Sequence, residues 1–221
     1  MNIDIKDLYV SYTKEFDALH NLNLHIDDGQ KIAIVGDSDS GKTTLLRVLA
    51  GLQPVSRGEV TINDTLINKV NFKQDVSLGY VPKVPVFKNK KTAFQNMQYV
   101  LKIRGYDEAS MGFKIMSALK NFGVDGIKNV PIQSLTLHQK MLLQLARISM
   151  RKLDIILIDN ITKNLNKEEQ ESIINAIKYL IDLNPNAILI FATDNEKVAL
   201  SLDLEIHKIK LGSLEEKKKL T

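Results

Sequence analysis

Ile32-Ala33-Ile34-Val35-Gly36-Asp37-Ser38-Asp39-Ser40-Gly41-Lys42-Thr43-Thr44 is the stretch from which the fold of this chain can be read. A β-branched apolar run ends at Gly36 and a glycine-bounded loop follows. Lys42-Thr43 then opens an amphipathic segment through Leu45, Leu46, Val48 and Leu49. That order is strand, loop, helix. The spacing Gly36-x-x-x-x-Gly41-Lys42-Thr43 fits a phosphate-binding P-loop. Glycines let successive N–H groups turn inward, the helix N-terminus adds partial positive charge, and Lys42 reaches the terminal phosphates. The Thr43 hydroxyl suits Mg²⁺. A chance match in a turn is the competing view, and the buried-strand pattern before the loop and the helix after it argue against it. Asp37 and Asp39 put two carboxylates near the expected phosphates, so like charge should hold nucleotide affinity to a modest level.

With 221 residues, 44% of them hydrophobic, the chain is long enough for one domain with its own core, or one with a small appended lobe. Thirty basic residues against 26 acidic ones leave a formal charge of +4, too slight and too dispersed to argue for nucleic acid. There is no cysteine, which excludes disulfides, thiolate metal sites and cysteine nucleophiles. Met1-Asn2-Ile3-Asp4-Ile5-Lys6 alternates as an edge strand would, without the pattern of a signal peptide. No apolar run approaches the ~20 residues needed to span a bilayer. The expectation is a soluble protein that reaches a membrane only through a partner. His20, His25 and His207 lack metal-ligand spacing.

Ile5, Leu8 and Val10, then Leu22, Leu24 and Ile26, predict two strands around a turn. Gly51 to Gly58 is a breaker-rich loop, Glu59 to Asp64 a short strand and turn, and Val76 to Val81 another strand. From Thr92 the period becomes helical: Phe94, Met97, Val100 and Leu101, then Phe113, Met116, Leu119 and Phe122. Pro131 closes this lobe, and a third helix carries Met141, Leu142, Leu145 and Ala146. Leu153 to Asp159 reads as a fully buried parallel strand ending in a carboxylate. A helix is predicted over about Lys167 to Leu183 and a buried strand over Ala187 to Phe191. Short strands are predicted near Leu204 to Ile206 and Ile209 to Leu211. The alternation argues an α/β fold with a mostly parallel central sheet, an antiparallel β subdomain and an inserted helical subdomain. The division expected is a core of residues 1–90 and 150–214, a helical lobe of 91–149, and a charged tail of 215–221.

In order, these segments resemble the ATP-binding-cassette (ABC) ATPases, with the likeness running from about Met1 to about Leu214. Tyr12 falls where the family places an aromatic ring on adenine, and Gly36 to Thr44 is the phosphate loop. Gly51-Leu52 through Gly58-Glu59-Val60 resembles the stretch after the first helix. Gly79-Tyr80-Val81-Pro82 resembles the switch loop. Leu135-Thr136-Leu137-His138-Gln139 aligns with the signature Leu-Ser-Gly-Gly-Gln, and Ile155 to Leu165 with the second phosphate-site strand and its loop. The resemblance implies a P-loop NTPase that binds ATP or ADP through Tyr12, Gly36, Asp37, Ser38, Asp39, Ser40, Gly41, Lys42, Thr43 and Thr44. It implies Mg²⁺ at Thr43 and Asp159. It also implies a second ABC subunit in a homo- or heterodimer, and a transmembrane permease at the inner face of the cell membrane.

The chain departs from that pattern at positions that perform chemistry. Lys83 stands where the family has glutamine, and a protonated lysine offers only donors. Leu137 and His138 replace two glycines of the signature. Asn160 stands in place of the glutamate that polarises water, removing a general-base contribution of about 10²–10⁴-fold. Asn166 replaces an aspartate, and Asp194 replaces the switch histidine. Hydrolysis is therefore expected to be weak or absent, and Lys83 and Asp194 are expected to pair across the γ-phosphate region. Pro82 to Phe87 is the expected permease contact, with Gln95, Asn96 and Tyr99 as its polar rim. The alternatives are a slow ATPase that still powers transport and a scaffold without a permease.

Overall fold

The computed structural model describes residues 1–13, 16–72 and 74–215. Two sheets organise it. The first is antiparallel, in the order β2-β1-β4-β5, with β1 at Ile3–Thr13, β2 at Phe16–Ile26, β4 at Arg57–Ile62 and β5 at Thr65–Leu66. The second has six strands: β3 (Lys31–Val35), β6 (Leu78–Val81), β7 (Ile155–Asp159), β8 (Ile188–Thr193), β9 (Glu205–Lys210) and β10 (Ser213–Leu214). Its order is β10-β9-β3-β8-β7-β6, parallel throughout except where β10 folds back on β9. The α/β architecture expected from the sequence is therefore present.

The parallel strands read as unbroken apolar runs because both of their faces are covered. Successive side chains on a strand point to opposite faces. Ile32, Ile34, Ile155, Leu157, Ile188 and Ile190 accordingly join a core with the antiparallel sheet and α1 (Lys42–Leu49). Ala33, Val35, Ile156, Ile158, Leu189 and Phe191 join the other core, with α2 (Ala93–Ile103), α3 (Glu108–Asn121), α4 (Leu137–Ser149) and α5 (Lys167–Leu183). α2, α4 and α5 each start at a capping box, Thr92 with Gln95, Thr136 with Gln139 and Asn166 with Glu169. Each box satisfies two otherwise orphaned N–H groups and fixes where the helix begins.

Several expectations are corrected. The N-terminal strand is not at an edge: β1 lies between β2 and β4, and its alternation records one buried face. The two short strands expected between Leu204 and Leu211 are one strand, β9, followed by a turn in which Leu211 has φ 47° and Gly212 φ 84°. Phe113 is 81% exposed, because the buried face of α3 is Met111, Ile115, Ala118 and Leu119, continued by Phe122 beyond its end. A short helix, α6 (Glu196–Ser201), follows β8 where none was predicted. Of the expected charged tail, residues 216–221 lie outside the described residues.

Candidate functional site

The parallel sheet brings four strand ends together. Gly36 follows β3, Pro82 and Lys83 follow β6, Asn160 follows β7, and Asp194 follows β8. In open parallel sheets the crevice beyond the carboxyl ends of the strands is where ligands bind. Here it is a cavity of about 430 Å³, lined by Tyr12, Ala18, Ser38, Asp39, Gly41 to Thr44, Lys83, Asp159, Asn160 and Lys163.

The loop from Gly36 to Gly41 is shaped by close backbone approach. A Cβ on Gly36 would stand 2.2 Å from the Ile209 carbonyl oxygen and 2.8 Å from Ser40 Oγ. Gly41 has φ 102°, and a Cβ there would meet the Ala18 carbonyl oxygen at 2.7 Å. Lys42 folds back into the loop and donates to the carbonyls of Gly36 (2.7 Å) and Asp37 (2.6 Å) and to Ser40 Oγ (3.1 Å). Burial lowers the Lys42 pKa, opposed by the charges of Asp194, Asp159 and Asp37. Asp37 and Asp39 are both exposed, and Asp39 lines the cavity. Thr43 Oγ1 donates to Asp159 Oδ1 at 3.1 Å, and the Tyr12 hydroxyl lies 3.2 Å from Thr44 Oγ1. Asp159 is almost wholly buried, and its Oδ2 has no hydrogen-bond partner. Burial pushes its carboxyl up, against the Thr43 hydrogen bond and the charges of Lys83 and Lys42.

The other side of the cavity differs from expectation. Asp194 does not pair with Lys83; it pairs with Lys163 Nζ at 3.0 Å and accepts from Asn160 Nδ2 at 3.3 Å. Lys83 lines the same cavity and acts electrostatically on Asp159. Lys163 also donates to Ser38 Oγ at 2.9 Å, so its ammonium ties the phosphate loop to the end of β8. For Asp194, burial raises the pKa, but hydrogen bonds from Lys163 and Asn160 and the Lys163 charge outweigh it and hold the carboxyl below its ordinary range. Sequence reasoning did not single out Lys163. Its only local signal is a cation in the loop after Asp159-Asn160, four residues from the strand end.

Residues 135–139 lie away from this cavity. Thr136 caps α4, accepting from the Gln139 N–H while Gln139 Oε1 accepts from the Thr136 N–H. Leu137 is partly exposed, and His138 Nε2 is buried without a partner. At the expected permease contact Val84 and Val86 are both 65% exposed, while Phe87 lies under the Arg147 guanidinium, 4.5 Å from its centroid. Tyr99 is exposed under Lys88 Nζ. Asn96 is not part of a polar rim: it is buried, with its amide bonded to the backbone of Lys88 and Thr92. Among the described residues no group of three or more histidines and carboxylates is placed to hold a metal, and no helix is long and apolar enough to cross a membrane.

The family model described as ABC transporter matches residues 19–163, more than half of the chain. The chain belongs to the ABC transporter family. The cassette is 29% identical over 92% of its length to the osmoprotective compounds uptake ATP-binding protein GgtA of Synechocystis sp., of which the match covers 56%. It is 31% identical over 74% of its length to the sn-glycerol-3-phosphate import ATP-binding protein UgpC of Burkholderia cenocepacia, covering 45% of that protein. The cassette thus spans about half the length of the curated relatives it matches. Its fold is that of the ATP-binding cassette MJ0796, solved as a dimer in a post-hydrolysis state with ADP and phosphate. The TM-score is 0.86 at 24% identity, over 99% of both chains. The structure of cbiO1 from Clostridium perfringens, part of the ABC transporter complex cbiONQ, has a TM-score of 0.81 at 22% identity, over 97% of this chain and 86% of that one.

Proposed function

We propose that this cassette is the ATP-binding subunit of an ABC importer, that it binds nucleotide at the Gly36–Thr44 loop, and that it hydrolyses ATP weakly or not at all. The cassette is expected to comprise a nucleotide-binding core of residues 1–90 and 150–214 with a helical lobe of 91–149. Import is favoured because both curated relatives are named for uptake or import. The observation that carries the impaired hydrolysis is the state of Asn160. Its Nδ2 donates to Asp194 while its Oδ1 is buried without a partner. An amide has no basic site near neutral pH, so this residue does not take a proton from an attacking water.

The donor set fits Mg²⁺. Thr43 offers a hydroxyl and Asp159 a buried carboxylate with one oxygen unpartnered, both at the cavity wall. A bound Mg²⁺ would neutralise phosphate charge there. Lys42 and the loop amides would bind the phosphates, Tyr12, which lines the cavity, would take the base, and Lys83 brings a second positive charge to bear on Asp159. The partners proposed are a second ABC subunit, identical or not, and a permease at the inner face of the membrane. The exposed pair Val84 and Val86, beside the Phe87–Arg147 stack, supports the permease contact.

Equilibrium binding of ATP and ADP to the purified chain with Mg²⁺, followed by phosphate release in the same sample, tests this function. Binding without appreciable phosphate release is the expected result. Turnover at the pace of an ordinary cassette overturns the impaired-hydrolysis reading, and failure to bind either nucleotide overturns the binding reading.

A further inference from the structure

Four side chains, of which Ser38, Asn160 and Lys163 line the cavity, form a continuous bridge. Asn160 Nδ2 donates to Asp194 Oδ2 at 3.3 Å, Lys163 Nζ lies 3.0 Å from the same oxygen, and Lys163 donates to Ser38 Oγ at 2.9 Å. They come from the end of β7, the end of β8, the loop after β7 and the crown of the phosphate loop. The positions are fixed by backbone as well: Gly36 N–H donates to the Thr193 carbonyl at 3.2 Å, and Asn160 N–H to the Ala192 carbonyl at 2.8 Å.

The lysine of such a loop reaches the β- and γ-phosphates, so groups acting on it from beyond the loop stand at the distal end of a bound phosphate chain. Among the charges around Lys42, Asp194 acts on it most strongly. We infer that the Asn160–Asp194–Lys163–Ser38 bridge closes that distal end and makes the site select a nucleoside diphosphate over a triphosphate. A diphosphate ends before the bridge and leaves it intact. A third phosphate brings added negative charge against Asp194, whose counter-ion is already engaged. For Lys163 to neutralise that phosphate it must leave Asp194, which strands a carboxylate beside an anion. Lys163 is about half exposed and Asp194 a quarter exposed, so solvent screens the effect. The expected preference is about tenfold rather than many thousandfold.

This inference rests on the nucleotide-binding reading above. The test is calorimetric titration of the full chain, with Mg²⁺, by ADP and by a non-hydrolysable ATP analogue. The wild-type chain should bind ADP about tenfold more tightly. Asp194→Asn should shrink that ratio to about one by raising triphosphate affinity, and Lys163→Met should widen it by leaving Asp194 without its counter-ion. Far-UV circular dichroism checks that both variants are folded. A wild-type chain that binds the triphosphate as tightly as ADP overturns the inference, as does a ratio that Asp194→Asn leaves unchanged; in either case nucleotide binding itself stands. If neither nucleotide binds the wild-type chain, the function proposed above fails and this selectivity with it.

Discussion

The two walls of the cavity are held by different means. On the loop wall, Gly36 and Gly41 are fixed by backbone atoms of other segments, the Ile209 and Ala18 carbonyls, which leave no room for a side chain. On the opposite wall Asn160, Lys163 and Asp194 are joined mainly by side-chain hydrogen bonds and charge, beside one backbone bond from the Lys163 N–H to the Asn160 carbonyl, and Lys83 acts there through its charge on Asp159. Substitution on the first wall disturbs the sheet itself. Substitution on the second changes the chemistry and leaves the fold intact. A phosphate loop is therefore retained as part of the architecture, and its presence says little about whether the facing wall still performs hydrolysis.

Gly36→Ala is the sharpest test of that contrast. The added Cβ would overlap the Ile209 carbonyl, a backbone atom of β9 that cannot turn aside. A loss of about 3 kcal/mol of stability, or failure to fold, is expected by denaturant unfolding. If the variant were as stable as the parent, the two walls would not differ as described.

On the opposite wall, Asn160→Glu tests the proposed lack of a general base. Phosphate release should rise by about 10²-fold, the low end of what a general base contributes. The gain carries a cost of about 1 kcal/mol in stability, because residue 160 has φ 48°, which asparagine tolerates better than glutamate. No change in phosphate release would mean that another group limits the reaction.

Asp159→Asn should act in the reverse sense on stability. Burial raises the Asp159 carboxyl, so ionising it opposes folding, and that penalty grows as pH climbs above the ordinary carboxylate value of 3.8. At neutral pH the variant should be more stable by about 1 kcal/mol, or roughly 2–4 °C in Tm for a chain of this size. Its nucleotide affinity should lose its dependence on Mg²⁺. A lowered Tm would show that the Thr43–Asp159 contact outweighs the cost of burial.

The smallest effect lies far from both walls. Hydrogen bonds from the His25 ring to the carboxylates of Asp4 and Asp27 raise its pKa above 6.5. Its contribution to stability is therefore full below about pH 6.5 and is lost as pH rises through the raised value. His25→Gln should flatten that slope while leaving nucleotide binding unchanged, as followed by thermal unfolding between pH 5 and 8. A slope that survives the substitution would assign it to other groups.

Local pattern explains what could be read without the structure. The extent of α5 was legible because Asn166 and Glu169 mark its start and Ile173, Ile177 and Leu180 mark its buried face. α6 was not, since six residues with only Val198 and Ala199 buried give no period to detect. The phosphate loop was legible because its glycines and lysine lie within a few residues of one another. The pairing of Asp194 was not: its partner Lys163 lies in a loop, and the hydrogen bond that positions Lys163 is donated to Ser38, 125 residues earlier in the chain. Both Lys83 and Lys163 are cations near the same carboxylates, and only the three-dimensional packing decides which one reaches Asp194.

Lys42 already satisfies three acceptors of its own loop, so the loop is held in shape from within before any ligand arrives. Much of the ordering entropy of the phosphate site is thus spent during folding rather than on association. Nucleotide capture should then show a small heat-capacity change, in contrast to the large one that accompanies coupled folding and binding. Differences among ligands should appear chiefly in how slowly they dissociate.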